Sequence, residues 1–260
     1  MSELPRSHQA PVPEAIQEAE YRFPYHHVPR LSGAGFTQSV SVRWGYLYWS
    51  YLSFVLSVIE KLEPASLLDV GCGDGRLVSE VRERIPAIGA LGIDTSARAV
   101  ALARAMNSGG EFRSGKLGEP GFVTETFDVI TLVEVLEHVP PAGLPSLRQA
   151  LARSLAAEGR LVATVPTENM GQHPKHYQHF SLDSLVAALA PDFELESATY
   201  LNRQSRLCKV FDRLLTNRYY AVRDPRLLAW LLRAYRRRYL HASADDAMRI
   251  CAVFEGATGK

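Results

Sequence analysis

At 260 residues the chain is long enough for one large α/β domain or two small ones, and its 47% hydrophobic and 22% charged residues are typical of a soluble globular protein. Three cysteines, an odd number without paired spacing, indicate neither a disulfide framework nor a thiolate metal site, and they favour a reducing cytoplasm. The longest apolar run, residues 45–59, is too short and too mixed to span a bilayer, and the N-terminus shows no signal-peptide pattern, so no transmembrane segment is expected.

The predicted elements begin after a polar stretch that contains several prolines. Residues 1–20 are expected to be flexible, and residues 21–62 to form an N-terminal lid segment with a helix from about residue 46 to residue 61. Beyond the lid, short apolar runs alternate with helical patterns. The predicted strands, in chain order, are residues 66–70, 90–94, 111–115, 127–133, 160–166, 193–201 and 249–255. The predicted helices that separate the first six strands are residues 75–84, 96–107, 145–157 and 181–190, the last with Ser181 as its N-cap.

This alternation of strands and helices predicts an α/β fold with a doubly wound, mainly parallel sheet and helices on both faces. Sheets of this kind bind ligands at the carboxyl ends of their strands. Candidate functional residues are therefore sought in the segments that follow each predicted strand.

A glycine-rich turn follows the first predicted strand directly, in the sequence DVGCGDGRL at residues 69–77. Glycine allows sharp turns and close approach of a ligand, and the helix that starts after the turn offers unpaired backbone N–H groups. Asp94, at the end of the second strand, is placed to accept hydrogen bonds from the ribose hydroxyls of an adenosine ligand. The spacing G-x-G-x-G differs from the dinucleotide fingerprint, so the combination predicts an adenosine cofactor without naming it.

The motifs LLDVGCGDGRL (67–77), LGIDTS (91–96) and FDVITLVEVLEHVP (127–140) together resemble those of the class I S-adenosylmethionine-dependent methyltransferases. The resemblance covers roughly residues 60–200 and the last strand. It implies a Rossmann-like sheet of seven strands whose last strand is antiparallel, and S-adenosyl-L-methionine as the cofactor. The implied cofactor-binding domain spans residues 63–200 and 249–260.

The resemblance also implies a role for individual residues. Asp69 would anchor the turn and the methionine end of the cofactor, Asp94 would hold the ribose, and the backbone of residues 132–134 would meet the methionyl amine. The residues implied to bind the cofactor are Asp69, Gly71, Cys72, Gly73, Gly75, Asp94, Thr95, Val133 and Glu134. Many members of the superfamily carry an acid after the third strand, whereas this chain has FRSGKLGEP there, so Ser114, Gly115 or the backbone would have to contact the adenine.

The segment between the last two strands, residues 201–248, is predicted to be a basic helical insert near the mouth of the substrate site. Residues 201–240 contain eleven basic and two acidic residues, so this block carries +9 and the rest of the chain −8. Such a block favours either an anionic acceptor or a solvated helical face, and a helix over residues 226–240 is also compatible with an interfacial membrane helix. In this predicted helix, the arginines at 226, 233 and 237 share one face. The opposite, apolar face carries residues 227, 228, 231, 235 and 239, and Arg238 also falls on it.

Three histidines near the predicted cofactor edge are candidate catalytic residues: His138 after the fourth strand, and His176 and His179 after the fifth. A histidine base near pH 7 would help an acceptor oxygen lose its proton. Alternatively, the histidines could dock the loop onto the core. In a third interpretation a divalent cation binds to Glu134, Glu137, His138 and a loop histidine. The spacing E-x-x-E-H resembles that of small-RNA 3′-terminal 2′-O-methyltransferases. His173 is expected to be exposed, and no metal is expected.

The sequence as a whole predicts a cytoplasmic methyltransferase that acts on an oxygen or nitrogen of a small-molecule, glycan or lipid-linked acceptor, with an anionic acceptor favoured by the insert. One alternative is a metal-dependent RNA 2′-O-methyltransferase, although a net charge of only +1 disfavours nucleic acid. Another is a protein that binds S-adenosylmethionine without turnover. The oligomeric state cannot be derived from the sequence.

Overall fold

The computed structural model describes residues 42–171, 173–215, 222 and 224–257, together with residue 13 and the pairs 31–32 and 35–36. The predicted flexible segment, residues 1–20, lies outside the described residues except for residue 13. A two-residue antiparallel pairing joins Leu31–Ser32 to Gly35–Phe36.

The main sheet contains seven strands in the part of the chain that the structure describes, as expected. In chain order they are β1 (Ser66–Val70), β2 (Gly89–Asp94), β3 (Glu111–Ser114), β4 (Phe127–Val133), β5 (Leu155–Pro166), β6 (Phe193–Arg203) and β7 (Ala247–Gly256). Their spatial order is β3-β2-β1-β4-β5-β7-β6. Strand β7 runs antiparallel to both of its neighbours, β5 and β6, which confirms the predicted Rossmann-like sheet with an antiparallel last strand.

Helices cover both faces of the sheet. They are α1 (Val42–Leu62), α2 (Arg76–Arg84), α3 (Ala97–Met106), α4 (Leu144–Ser154), α5 (Leu182–Leu189), α6 (Arg206–Leu215) and α7 (Pro225–Tyr239). Two short 3₁₀ turns, Leu136–His138 and Pro141–Gly143, separate β4 from α4. No helix in the described part of the chain is long and apolar enough to cross a bilayer.

Neighbouring residues of the central strands belong to apolar clusters on opposite faces of the sheet, because side chains alternate between the two faces of a strand. Leu68 and Ile130 lie in the cluster beneath α4 and α5, whereas Leu67 and Val129 lie in the cluster beneath α1 and α7. All four are at most 1% exposed. Burial on both faces explains why the strands read as nearly continuous apolar runs in the sequence.

The largest differences from the sequence prediction are the boundary between α4 and β5 and the buried face of α7. The helix predicted over residues 145–157 ends at Ser154, and β5 begins at Leu155, which pairs with Phe127 of β4. The buried Leu155 side chain and its ladder partner outweigh the helix propensity of the alanines that follow. In α7, Leu227 is 39% exposed and Arg238 is also exposed, so neither lies on the buried face, which Leu228, Ala229, Leu232 and Tyr235 form instead.

The insert between β6 and β7 packs on the N-terminal helix α1. The rings of Tyr46 in α1 and Tyr235 in α7 lie 4.6 Å apart between centroids. Asn202, at the end of β6, donates from Nδ2 to Ser50 Oγ at 2.9 Å and to Tyr235 Oη at 3.1 Å. This buried polar contact ties α1, β6 and α7 together at one end of the sheet, so the insert is joined to the N-terminal helix.

Candidate active site

A cleft of about 430 Å³ opens at the carboxyl ends of β1, β2 and β4, where the sequence placed the ligand edge. Its lining comes from the turn after β1, the end of β2, the segment after β3, the two 3₁₀ turns and the start of α4. The lining residues are Val70, Gly71, Ile93, Asp94, Thr95, Gly115, Lys116, Leu117, Glu134, Val135, His138, Val139, Pro140, Gly143 and Leu147. The cleft therefore combines apolar walls with a few convergent polar groups, as ligand sites commonly do.

The glycine turn holds conformations that side chains rarely adopt. Gly71, Gly73 and Gly75 have φ angles of 76°, 54° and 76°. A Cβ atom on Gly75 would lie 2.6 Å from the Phe112 ring, and one on Gly71 would lie 2.6 Å from Val135 Cγ2. The turn therefore requires glycine both for its backbone angles and for its packing.

Asp94 closes the turn from the neighbouring strand. Its Oδ2 atom accepts a hydrogen bond from the Gly73 backbone at 3.0 Å, and its Oδ1 atom accepts one from the Ser96 backbone at 2.8 Å. The carboxylate is thus fixed at the edge of the cleft, and a carboxylate oxygen can accept more than one hydrogen bond. This position fits an acid that accepts hydrogen bonds from ribose hydroxyls.

Asp69 lies beneath the same turn and is only 3% exposed. Thr131 donates to its Oδ1 atom at 2.7 Å. Burial raises the pKa of Asp69 to about 7, an effect that the Thr131 hydrogen bond partly opposes. Asp69 therefore titrates close to neutral pH.

The structure brings the predicted cofactor residues to one edge of the sheet. Four of them line the cleft, namely Gly71, Asp94, Thr95 and Glu134. The other five lie in the strands and the turn that frame it, and they are Asp69, Cys72, Gly73, Gly75 and Val133. After β3 the cleft is lined by residues 115–117, so Lys116 and the backbone here take the place of the acid that many members of the superfamily carry.

Glu134 takes part in a network of side-chain contacts that the sequence did not predict. Its backbone has a φ angle of 57°, its Oε1 atom accepts from Thr164 Oγ1 at 3.1 Å, and its Oε2 atom accepts from Arg249 Nε at 2.9 Å. The Arg249 guanidinium also lies over the Tyr51 ring, 4.4 Å from its centroid. One feature of the sequence pointed to Arg249 as a residue with a special role, because it is a charged residue beside the apolar run ICAVF of the last strand.

A second cavity, here called the basic pocket, is lined in part by Arg249. It consists of two adjoining hollows of about 350 and 210 Å³ that share Arg43, Leu47, Met170 and Met248. The remaining lining residues are Tyr46, Tyr48, Tyr51, Asn169, Gly171, Arg203, Gln204, Ser205, Cys208, Lys209, Tyr235 and Arg249. No acidic side chain is among these described lining residues.

The candidate histidines gather beside the cleft. The rings of His138 and His176 lie 4.9 Å apart, and His176 Nδ1 lies 2.8 Å from His179 Nε2. His138 itself lines the cleft. His173 is exposed, as expected, although its ring is 5.2 Å from that of His176. Burial, together with the neighbouring histidines and Lys175, lowers the pKa of His176 to about 3, so His176 is neutral at pH 7.

Glu137 lies next to these histidines and is 1% exposed. Its Oε1 atom is 3.9 Å from His138 Nε2. Burial is the largest cause that raises the pKa of its carboxyl well above the usual range, and the nearby Glu134 adds to the effect. Beside the cleft, the buried carboxyl of Glu137 therefore lies close to the imidazoles of His138 and His176.

The sheet order, the glycine turn and the acid at the end of β2 define the fold of class I S-adenosylmethionine-dependent methyltransferases. The residues present fit the cofactor, because the turn lacks the side chains that would fill it and Asp94 is held at the edge of the cleft. A family model described as a methyltransferase domain matches residues 48–235, and the chain belongs to this family. Its cofactor is S-adenosyl-L-methionine.

Curated relatives and a solved structure are similar to this chain. A ubiquinone biosynthesis O-methyltransferase of Nitrosomonas europaea is 28% identical over 48% of this chain and 52% of its own length. A trans-aconitate 2-methyltransferase of Deinococcus radiodurans is 29% identical over 54% and 49%. The N-methyltransferase NodS of Bradyrhizobium japonicum, solved with S-adenosyl-L-homocysteine, has a TM-score of 0.52 at 15% identity over 80% and 87% of the two chains. The chain thus spans about half the length of these curated relatives, and the solved structure shares the fold.

Proposed function

We propose that the chain methylates an oxygen of a small anionic acceptor with S-adenosyl-L-methionine as methyl donor. The observation that carries the proposal is that the cofactor cleft and the basic pocket meet at one ion pair. Glu134 lines the cleft, Arg249 lines the basic pocket, and the two side chains are 2.9 Å apart. An acceptor in the basic pocket would therefore face the cleft across this pair.

The lining of the basic pocket supports an anionic acceptor. Four of its side chains are cationic, and they are Arg43, Arg203, Lys209 and Arg249. Arg203 also pairs with Asp246 at 3.0 Å, and this contact orients its guanidinium at the rim of the pocket. Tyrosine rings supply apolar walls, so the pocket suits a small molecule with one charged end and one apolar or aromatic end.

The relatives favour oxygen and a small acceptor. One is named for O-methylation in ubiquinone biosynthesis, and the other for trans-aconitate, which is a small carboxylate. An RNA end is the alternative acceptor that the experiment below includes.

The roles of the residues follow from their contacts. When bound, the cofactor supplies a methyl group that its positive sulfur already activates. The glycine turn and Asp94 hold the nucleoside end, and the cleft walls exclude water and align the acceptor. His138 lines the cleft, at the edge where the acceptor oxygen must lose its proton, and we assign the role of base to it. His176 lies beside it, but its lowered pKa of about 3 makes it a weak proton acceptor. His179 uses both ring nitrogens in contacts with Met170 O and His176, so we assign it to positioning His176.

An acceptor screen tests the proposal. The chain is incubated with methyl-labelled cofactor and with matched pairs of acceptors, each a carboxylate or phosphate and its neutral ester, alongside short RNAs. We expect label on the anionic member of a pair and little on its neutral partner. Label on RNA alone would contradict the small-molecule acceptor, and tight binding of S-adenosylhomocysteine without any transfer would indicate a non-catalytic protein.

A variant pair locates the acceptor. Lys209 and Arg213 are both exposed in α6, but Lys209 lines the basic pocket and Arg213 does not belong to its lining. Lys209→Gln should raise the KM for the anionic acceptor several-fold without changing the affinity for S-adenosylhomocysteine, and Arg213→Gln should leave both unchanged. Equal effects of the two substitutions would mean that general charge, and not the pocket, attracts the acceptor.

A further inference from the structure

The negative charge of the Glu137 carboxylate is buried and is not compensated by hydrogen bonds from the described residues. The side chain is 1% exposed, and neither carboxylate oxygen has a hydrogen-bond partner among the described residues. A buried carboxylate without partners loses several kcal/mol relative to water, so it is compensated by a proton or by a cation. Glu137 lies in the 3₁₀ turn Leu136–His138, shortly after β4, and its neighbour His138 lines the cofactor cleft.

The hydrogen bonds of the histidines fix where each ring carries its lone pair. His138 Nδ1 lies 2.9 Å from the Lys175 carbonyl oxygen, and His179 Nδ1 lies 3.2 Å from the Met170 carbonyl oxygen. A carbonyl oxygen can only accept, so both Nδ1 atoms carry hydrogen and both Nε2 atoms carry lone pairs in the neutral rings.

The same reasoning extends to His176. Its Nδ1 atom lies 2.8 Å from His179 Nε2, which has no hydrogen to donate, so His176 Nδ1 is the donor and His176 Nε2 carries the lone pair. Two backbone carbonyls thus set the tautomers of three imidazoles. Metal-binding histidines are oriented by this kind of contact, in which the other ring nitrogen donates to a carbonyl or to a second group.

These groups converge. One ligand atom from each of Glu137, His138 and His176 lies within 4.8 Å of the other two, and this set is called the Glu137 cluster below. Ligand atoms around a shared ion at about 2.0–2.2 Å are roughly 3–3.5 Å apart, so closure needs movements of about 1–2 Å. Glu134 is not included, because Thr164 and Arg249 hold its two oxygens.

We infer that the Glu137 cluster binds one divalent first-row transition metal ion. One carboxylate and two neutral imidazoles suit Mn²⁺, Fe²⁺, Co²⁺ or Zn²⁺, whereas Mg²⁺ and Ca²⁺ prefer oxygen ligands alone. The inference replaces the expectation from the sequence that no metal is bound. Three protein ligands leave coordination positions open, as in catalytic metal sites.

The role of the ion rests on the proposed function. His138 lines the cofactor cleft, so an acceptor oxygen can reach an open position of the ion. The ion would lower the pKa of the acceptor hydroxyl, and its proton would leave to water. The oxygen would then form its bond to the methyl carbon as the carbon–sulfur bond breaks, with the electron pair staying on sulfur. In this case the two imidazoles act as ligands and not as the base.

Metal binding is measured directly on the whole chain. After treatment with EDTA and gel filtration, the chain is titrated with MnCl₂, ZnCl₂ and MgCl₂ by calorimetry, and bound metal is counted by mass spectrometry. We expect one Mn²⁺ or Zn²⁺ per chain, with weaker Mg²⁺ binding, and a rise in the melting temperature with bound metal. No saturable binding of Mn²⁺ or Zn²⁺ at millimolar concentration would overturn the inference.

Three variants test the ligands. Glu137→Gln and His176→Gln should each weaken Mn²⁺ binding by at least about 10-fold. His173→Gln is the matched control, because His173 is exposed in the same loop and lies outside the cluster, and it should bind Mn²⁺ normally. Each variant must bind S-adenosylhomocysteine like the parent chain, which shows that it is folded. Loss of metal binding in all three variants, or in none, would contradict the assigned ligands.

Activity distinguishes this inference from the proposed function. Turnover that stops with EDTA and returns with Mn²⁺ supports both. Turnover that is indifferent to EDTA overturns the metal inference and leaves the histidine base in place. Metal binding at the Glu137 cluster without methyl transfer to any acceptor in the screen would support the site and contradict the proposed function.

Discussion

Arg249 Nε donates a hydrogen bond of 2.9 Å to Glu134 Oε2, and this contact joins the antiparallel last strand to the end of β4. The two side chains are 15% and 20% exposed, so the pair is largely screened from water. Its position is notable because Glu134 lines the cofactor cleft and Arg249 the basic pocket. The antiparallel strand thus supplies Arg249, which lines the basic pocket and pairs with a residue of the cleft.

We expect Arg249→Gln to lower the free energy of unfolding by roughly 2–4 kcal/mol, because removal of one partner leaves the Glu134 charge without compensation in a largely buried site. Urea unfolding monitored by fluorescence measures the change. Arg160→Gln is the control, since Arg160 pairs with the partly exposed side chains of Glu196 and Glu255, and its loss should cost less than about 1 kcal/mol. Equal losses in the two variants would mean that the Glu134 pair contributes no more than a surface contact.

Asp94→Ala should weaken binding of S-adenosylhomocysteine by an order of magnitude or more, because it removes the acceptor for the ribose and releases the Gly73 backbone. Calorimetric titration measures the affinity. Asp128→Ala is matched to it, since Asp128 also accepts from two backbone groups, at Ala65 and Ser66, but at the opposite ends of the strands. Asp128→Ala should alter stability and not affinity. Near-normal affinity in Asp94→Ala would refute the ribose assignment.

The glycine turn offers a pair of substitutions that separates backbone strain from packing. Gly75 and Gly121 have φ angles of 76° and 74°, but a Cβ on Gly75 meets the Phe112 ring at 2.6 Å and one on Gly121 meets nothing within 4 Å. Gly121→Ala should cost about 1 kcal/mol from backbone strain. Gly75→Ala should cost about 1–3 kcal/mol more and weaken cofactor binding. Thermal and urea unfolding check the order, and a smaller cost at Gly75 would contradict the packing of the turn.

Asp69 makes stability depend on pH. Its folded pKa of about 7 lies above the unfolded value of about 3.9, so the folded state keeps the proton longer. The contribution is complete below about pH 4 and declines as pH rises through about 7, with a slope of about 1.4 kcal/mol per pH unit between them. Unfolding of Asp69→Asn should lack this slope. A parallel pH dependence in the two proteins would assign the effect to other groups.

Local features of the sequence determined most of the fold. Strand β1 was predicted with its observed bounds, and so was β4, because burial on both faces makes them continuous apolar runs. Ser181 was predicted as an N-cap, and its side chain accepts from the Ser184 backbone. The glycine turn and Asp94 could also be found, since a strand, a turn and an acid at a fixed spacing are all properties of one contiguous stretch.

Tertiary structure alone decided the features that depend on register between distant segments. The β5 boundary at Leu155 is set by pairing with Phe127, and the exposure of Leu227 is set by how α7 rests on α1. The sequence could place His138 and His176 on one edge of the sheet, but not the carbonyl contacts that fix their tautomers. Arg249 and Glu134, 115 positions apart, meet because β7 runs antiparallel beside β5, and no local pattern encodes that contact.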